Sequence, residues 1–138
     1  MKTKITIEPI GDDGFHVFCN LKINNYKCRA LIDTGASKTV VSLDLKEKLN
    51  LPEYLNPNDN LISGIQPGKL DVSFVLIDKI SFGKFAVFNI ISGIIDIEHI
   101  NEQYKALGIK PFDLIVGGDV LSKSNAIINY KSKIIEVS

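Results

Sequence analysis

The chain of 138 residues contains no tryptophan, one methionine, two cysteines and two histidines. Two cysteines do not make a disulfide framework, so Cys19 and Cys28 are expected to be free and buried as small hydrophobes. His16 and His99 are isolated and no cysteine pair has ligand spacing, so neither a metal site nor a cofactor is expected. An excess of one charge is missing as well, because sixteen basic and sixteen acidic residues cancel. That balance points to no nucleic-acid partner and no electrostatic membrane anchor. No run approaches the roughly 20 apolar residues of a membrane span, and the opening Met1-Lys2-Thr3-Lys4-Ile5-Thr6-Ile7 lacks the apolar core of a signal peptide. As it stands the chain reads as cytoplasmic, and a leader or anchor removed ahead of it would leave no trace.

What the chain does have is apolar content, 45% of its residues, enough for one domain spanning 1–138 with a real core. Much of that content alternates with polar residues, which is the period of strands. Thr3 to Ile7 alternates. Phe15, Val17, Cys19, Leu21 and Ile23 alternate up to Asn24-Asn25, and Tyr26, Cys28, Ala30 and Ile32 alternate on the return, which predicts a hairpin with a two-residue turn. Such a turn sets Cys28 opposite Leu21 and Cys19 opposite Ala30, so the cysteines share a face but sit diagonally. Thr39 to Val41, Asp71 to Ile77 and Lys84 to Ile91 are further strand candidates, the last two joined through Lys79 to Gly83. Ala126 to Asn129 and Lys133 to Val137 close the chain as a hairpin. Ser42 is placed to cap a short helix through Leu49. A second helix is expected from Asp96 to Leu107, with Ile97, Ile100, Tyr104 and Leu107 on one stripe and Gly108 ending it.

Two stretches carry chemistry. In Ala30-Leu31-Ile32-Asp33-Thr34-Gly35-Ala36-Ser37 an apolar strand runs into a lone carboxylate, followed by a hydroxyl, a glycine and two small residues. Asp-Thr-Gly by itself is ordinary turn chemistry. The apolar flank and the small residues after it add something a surface turn does not need, a loop that another backbone can approach closely. A phosphate-cradling loop is excluded, because Ser37-Lys38-Thr39 imitates its end while Ile32 and Ser37 stand where its glycines belong. The second stretch is Phe112-Asp113-Leu114-Ile115-Val116-Gly117-Gly118-Asp119-Val120-Leu121, a buried strand entering a glycine pair, with Asp119 starting a short helix whose dipole and cap favour an acid.

The two stretches together resemble the retroviral-type, or retropepsin-like, aspartic proteases of the single-domain cellular and bacterial type. The resemblance runs from about Phe15 to the C-terminus. It implies a mainly β, closed-barrel acid-protease fold with one or two short helices, in which the strand ending at Gly117 crosses beneath and supports the active-site loop. Asp33 would be the catalytic aspartate. Thr34 would brace the loop, Gly35 would let backbone pass closely, and Ala36 and Ser37 would border the substrate. Gly64, Ile65 and Gln66 fall where the family has its flap, a hairpin that closes over peptide.

Peptide hydrolysis of this type needs two carboxylates and the chain has one Asp-Thr-Gly. The second must come from another copy, so a homodimer acting on a peptide or protein substrate is implied, an aspartic endopeptidase with its Asp dyad on the dimer axis. A catalytically silent dimerisation or peptide-binding module is the alternative, and an intact Asp33 argues against it. Two features depart from the family pattern: the segment 94–112 is longer than in compact viral enzymes, and Gly118 replaces a commonly larger residue.

Overall fold

A computed structural model describes residues 1–55 and 73–138, and in it the alternating segments form strands that close on themselves. Strand β1 (Lys2–Pro9) is followed by β2 (Phe15–Ile23) and β3 (Tyr26–Ile32). Asn24 and Asn25 take φ values of 54° and 115°, which a tight hairpin turn needs and asparagine tolerates. The two-residue turn fixes the register, with Leu21 opposite Cys28 and Cys19 opposite Ala30 as expected. Both cysteines are free and buried.

The chain continues through β4 (Val40–Ser42), helix α1 (Leu43–Lys48), β5 (Glu53–Tyr54), β6 (Phe74–Phe82) and β7 (Phe85–Ile95). Helix α2 (Glu98–Ala106), β8 (Leu114–Val116), α3 (Gly118–Lys123), β9 (Ile127–Asn129) and β10 (Ile134–Glu136) complete it. Ser42 caps α1 as expected, its hydroxyl oxygen accepting from the Leu45 amide at 3.1 Å. Among the described residues there are three helices, where the family resemblance implied one or two; the short one beginning beside Asp119, α3, was expected from the residues themselves. None is long and apolar enough to cross a membrane.

Strands β2, β3, β8, β4, β7 and β6 form a ring, closed where Lys22 and Ile23 of β2 pair with Ser81 and Ile80 of β6. Within it β3 runs parallel to β8 and β4 parallel to β7, so β8 lies between β3 and β4. The inner faces of β2 and β3 supply Val17, Cys19, Leu21, Ile23, Cys28, Ala30 and Ile32 to the core, with Leu114 and Val116 of β8 beside them. β1 continues the sheet outward and joins the C-terminal hairpin β9–β10.

The connection expected at Lys79 to Gly83 is instead strand. β6 runs to Phe82 and turns at Gly83. Sequence alternation misleads here because the buried residues change parity, from Val75 and Ile77 to Ile80 and Phe82. Opposite the break, Asn89 of β7 adopts a φ of 56°, which turns the pleat so that one long hairpin can serve both ends of the barrel.

The long segment 94–112 packs on the outside of the ring. Phe18, alternate to the inward residues of β2, joins Ile97, Tyr104, Ile109 and Phe112 in a second buried cluster, with Leu31 and Ile115 against it. Asn101 clasps the backbone of Phe112, donating from its amide nitrogen to the carbonyl at 2.9 Å and accepting from the Phe112 N–H at 3.1 Å. Leu107 does not join the stripe: it caps the helix, is 53% exposed, and Ile109 takes its place after Gly108 reverses the chain at φ 77°. Removing the Phe112 ring should therefore cost about 3–5 kcal/mol as Phe112→Ala, while Leu107→Ala should stay within about 0.5 kcal/mol. Urea unfolding of both variants checks this, and equal losses would show that the helix is not held by this cluster.

Candidate active site

The loop between β3 and β4 is tied by backbone hydrogen bonds to both β8 and α3. Because β8 lies between β3 and β4, the segment 33–39 must pass over the end of β8. The Asp33 amide donates to the Val116 carbonyl at 3.0 Å, which carries the β3–β8 pairing into the loop itself. The loop then turns tightly, the Ala36 amide donating to the Asp33 carbonyl at 3.1 Å and the Gly35 amide to Asp33 Oδ1 at 2.9 Å. A Cβ on Gly35 would stand 3.2 Å from that same oxygen, so the glycine leaves the carboxylate room. Asp33 and Ala36 are half-buried, while Thr34, Gly35 and Ser37 are exposed.

Beneath the loop, α3 begins. Its first free amides are satisfied by the loop instead of by a side-chain cap: Gly118 donates to the Ala36 carbonyl at 2.7 Å and Asp119 to the Ser37 carbonyl at 3.2 Å. The contact is close enough that a Cβ on Gly117 would lie 2.8 Å from Ala36 O and from both the carbonyl carbon and oxygen of Lys38. At Gly118 the nearest atom would be 3.5 Å away, ordinary contact.

Two residues that the sequence reading assigned only local roles complete the clamp. Thr39, taken as the start of a strand, is fully buried. Its amide and its hydroxyl both donate to Asp119 Oδ1, at 3.0 and 2.7 Å, and its hydroxyl oxygen accepts from the Gly117 amide at 3.1 Å. The Thr39 carbonyl accepts from the Gly93 amide and the Ser92 hydroxyl of β7. Asp119 also accepts from the Val120 amide at 2.8 Å. It is thus a strut between loop and helix, beyond the helix-terminal role expected of an acid at this position. The available signal was a hydroxyl at the head of the apolar pair Val40-Val41, since a Thr39 buried with them must find a partner.

Neither cysteine is equipped to act as a nucleophile. Burial pushes the Cys19 thiol up to about 11 and the Cys28 thiol to about 12, so both stay protonated. His16 is engaged with the Tyr104 hydroxyl at 3.0 Å, and His99 lies near Gln103 on the exposed side of α2. Among the described residues no three His, Cys, Asp or Glu side chains converge as a cation site. Gly64, Ile65 and Gln66, read as a flap, lie outside the described residues.

The glycine pair makes an asymmetric prediction. Gly117→Ala should drive the loop off β8 and cost about 1–3 kcal/mol or more by overpacking. Gly118→Ala, inside a helix with space for a methyl, should be neutral or stabilising by about 0.5–1 kcal/mol. Thermal unfolding of the two variants checks this, and equal midpoints would mean that the loop and strand are not in contact as described.

The sequence profile described as Aspartyl protease matches residues 19–120. A retropepsin-like aspartic protease from Rickettsia conorii superposes with a TM-score of 0.54 at 18% identity, over 98% of this chain and 85% of that one. The retroviral protease-like domain of Ddi1 from Leishmania major gives 0.54 at 15% identity, over 88% and 86%. Among curated proteins none matches. At these identities the solved structures establish the retropepsin-like fold, and the profile, spanning well over half of the residues, establishes the family. The chain belongs to the aspartyl proteases.

Proposed function

We propose that the protein is an aspartic endopeptidase whose site is assembled from two copies of the chain, with Asp33 of each contributing one carboxylate. The observation that carries this reading is a single Asp-Thr-Gly loop with Asp33 half-buried and Thr34 exposed, held from below by Gly117, Thr39 and Asp119. A C2 dimer brings such a loop against its own image, and it is the commonest closed symmetry.

Two carboxylates about 3 Å apart share one proton, because both cannot ionise. The ionised one takes a proton from water as the water oxygen adds to the peptide carbonyl carbon, and the other gives its proton to the carbonyl oxygen. Collapse of the tetrahedral intermediate breaks the C–N bond as the protonated carboxyl gives its proton to the leaving nitrogen and the other carboxylate takes a hydroxyl proton from the gem-diol, which leaves the dyad again singly protonated. Thr34 braces the two loops against each other. Ala36 and Ser37 border an extended peptide held by β-type pairing.

The test is a mixture. Asp33→Asn keeps the shape of the side chain but cannot carry the shared proton, so the variant should fold, dimerise and cleave nothing. With free exchange at equal amounts, about one quarter of dimers keep both aspartates, so activity per wild-type chain falls to about half. Activity against a diverse peptide library should also fall as rising pH removes the shared proton. Undiminished activity per wild-type chain after exchange would refute the two-chain site. Absence of any cleavage by a folded wild-type dimer would favour a silent peptide-binding module.

A further inference from the structure

Thr39 anchors the loop, and the two residues before it, Ser37 and Lys38, form one wall of a pocket of about 340 Å³. The other walls come from Asn89 and Ile91 of β7 and from Asp119 and Lys123 of α3. The pocket stands close to the chemistry. The Ala36 amide bonds the Asp33 carbonyl, a turn whose ends lie within about 7 Å, and two further residues reach Lys38, at most about 7 Å more. An extended peptide covers that span in about four residues.

The charges of the lining do not cancel. Lys38 is half-buried, its Nζ standing 4.6 Å from the centre of the Phe74 ring, which holds the ammonium in place without neutralising it. Lys123 is exposed in the last turn of α3. Among the described residues neither lysine forms an ion pair. Asp119, the carboxylate in the lining, is engaged with the loop and its own helix: its Oδ1 accepts from the Thr39 amide, the Thr39 hydroxyl and the Val120 amide. A net positive charge is left, with the exposed Ser37 hydroxyl and Asn89 amide beside it as donors.

We propose that this pocket is a subsite for an acidic side chain of the substrate, with Lys38 as its specificity-determining residue. The assignment rests on the endopeptidase reading above, in which Ala36 and Ser37 border an extended peptide. Side chains of such a peptide alternate between its two faces, so one within four residues of the scissile bond enters the pocket while the backbone passes Ser37. The two-fold adds a signature. Each copy carries the pocket, so an acid is selected on both sides of the scissile bond at the same distance from it.

Peptides that the wild-type protein cleaves, remade with Glu, Gln or Lys at each position up to four from the scissile bond, test this through kcat/KM ratios taken within one enzyme. Glu should exceed Gln by about fivefold at one position on each side, the worth of a partly screened ion pair. The advantage should disappear below about pH 4, where Glu is protonated. Lys38→Ala should bring the Glu-to-Gln ratio to about one, Lys38→Glu should make Lys the preferred residue, and Lys123→Ala should lower the ratio by less. A ratio near one at every position in wild type, or a ratio that Lys38→Ala leaves unchanged, would overturn the subsite and leave the endopeptidase standing. Absence of all cleavage would overturn the endopeptidase reading and the subsite with it.

Discussion

The fold around the site depends on one hydrogen-bond cluster, the pair of contacts from Thr39 to Asp119 Oδ1. Hydrogen bonds to a carboxylate are worth about 1.5–3 kcal/mol, and leaving such a group unpaired in the interior costs a comparable amount. The cluster joins three segments that are far apart in sequence: the loop after β3, the end of β8 and the start of α3. Breaking it strands a fully buried hydroxyl and frees the loop that holds Asp33. The close approach at Gly117 is the steric half of the same constraint, since the Thr39 hydroxyl can accept from its amide only when no side chain stands between loop and strand.

The outer cluster serves the same loop from the other side. Phe112 is fixed by Asn101 and by packing on Phe18 and Tyr104, and it lies two residues before β8. Position along β8 is therefore set at its entrance by the segment 94–112 and at its exit by Gly117. The Asp113 amide bonded to the Arg29 carbonyl at 3.0 Å ties that entrance to β3. The added helix thus stabilises the strand that the loop rests on, and it does so without entering the barrel.

Much of this was legible in the letters because it follows from period and turn chemistry. Asn24-Asn25 between two alternating runs determines the hairpin register, and Ser42 ahead of Leu45 determines a capped helix. What could not be read was non-local. The parity change at Asp78 and Asn89 looks like a break in one strand until the partner strand is placed beside it. Leu107 and Ile109 are equivalent by hydrophobicity, and the reversal at Gly108 decides which one is buried. Asp119 after a glycine pair fits a helix cap equally well, and only the arrival of Thr39 eighty residues away in sequence makes it a strut. The family resemblance located the loop and the glycine pair, but a motif names positions and not the bonds between them.

A loop so firmly seated in one chain presents a half-buried Asp33 and an exposed Thr34 at its surface. The central claim is that the surface is completed by a second copy. Calorimetric titration with a pepstatin-type inhibitor, which occupies both carboxylates of a dyad at once, measures this directly. A site made from two chains predicts saturation at about one inhibitor per two chains. Saturation at one per chain would contradict the account, because each copy would then hold a complete site of its own.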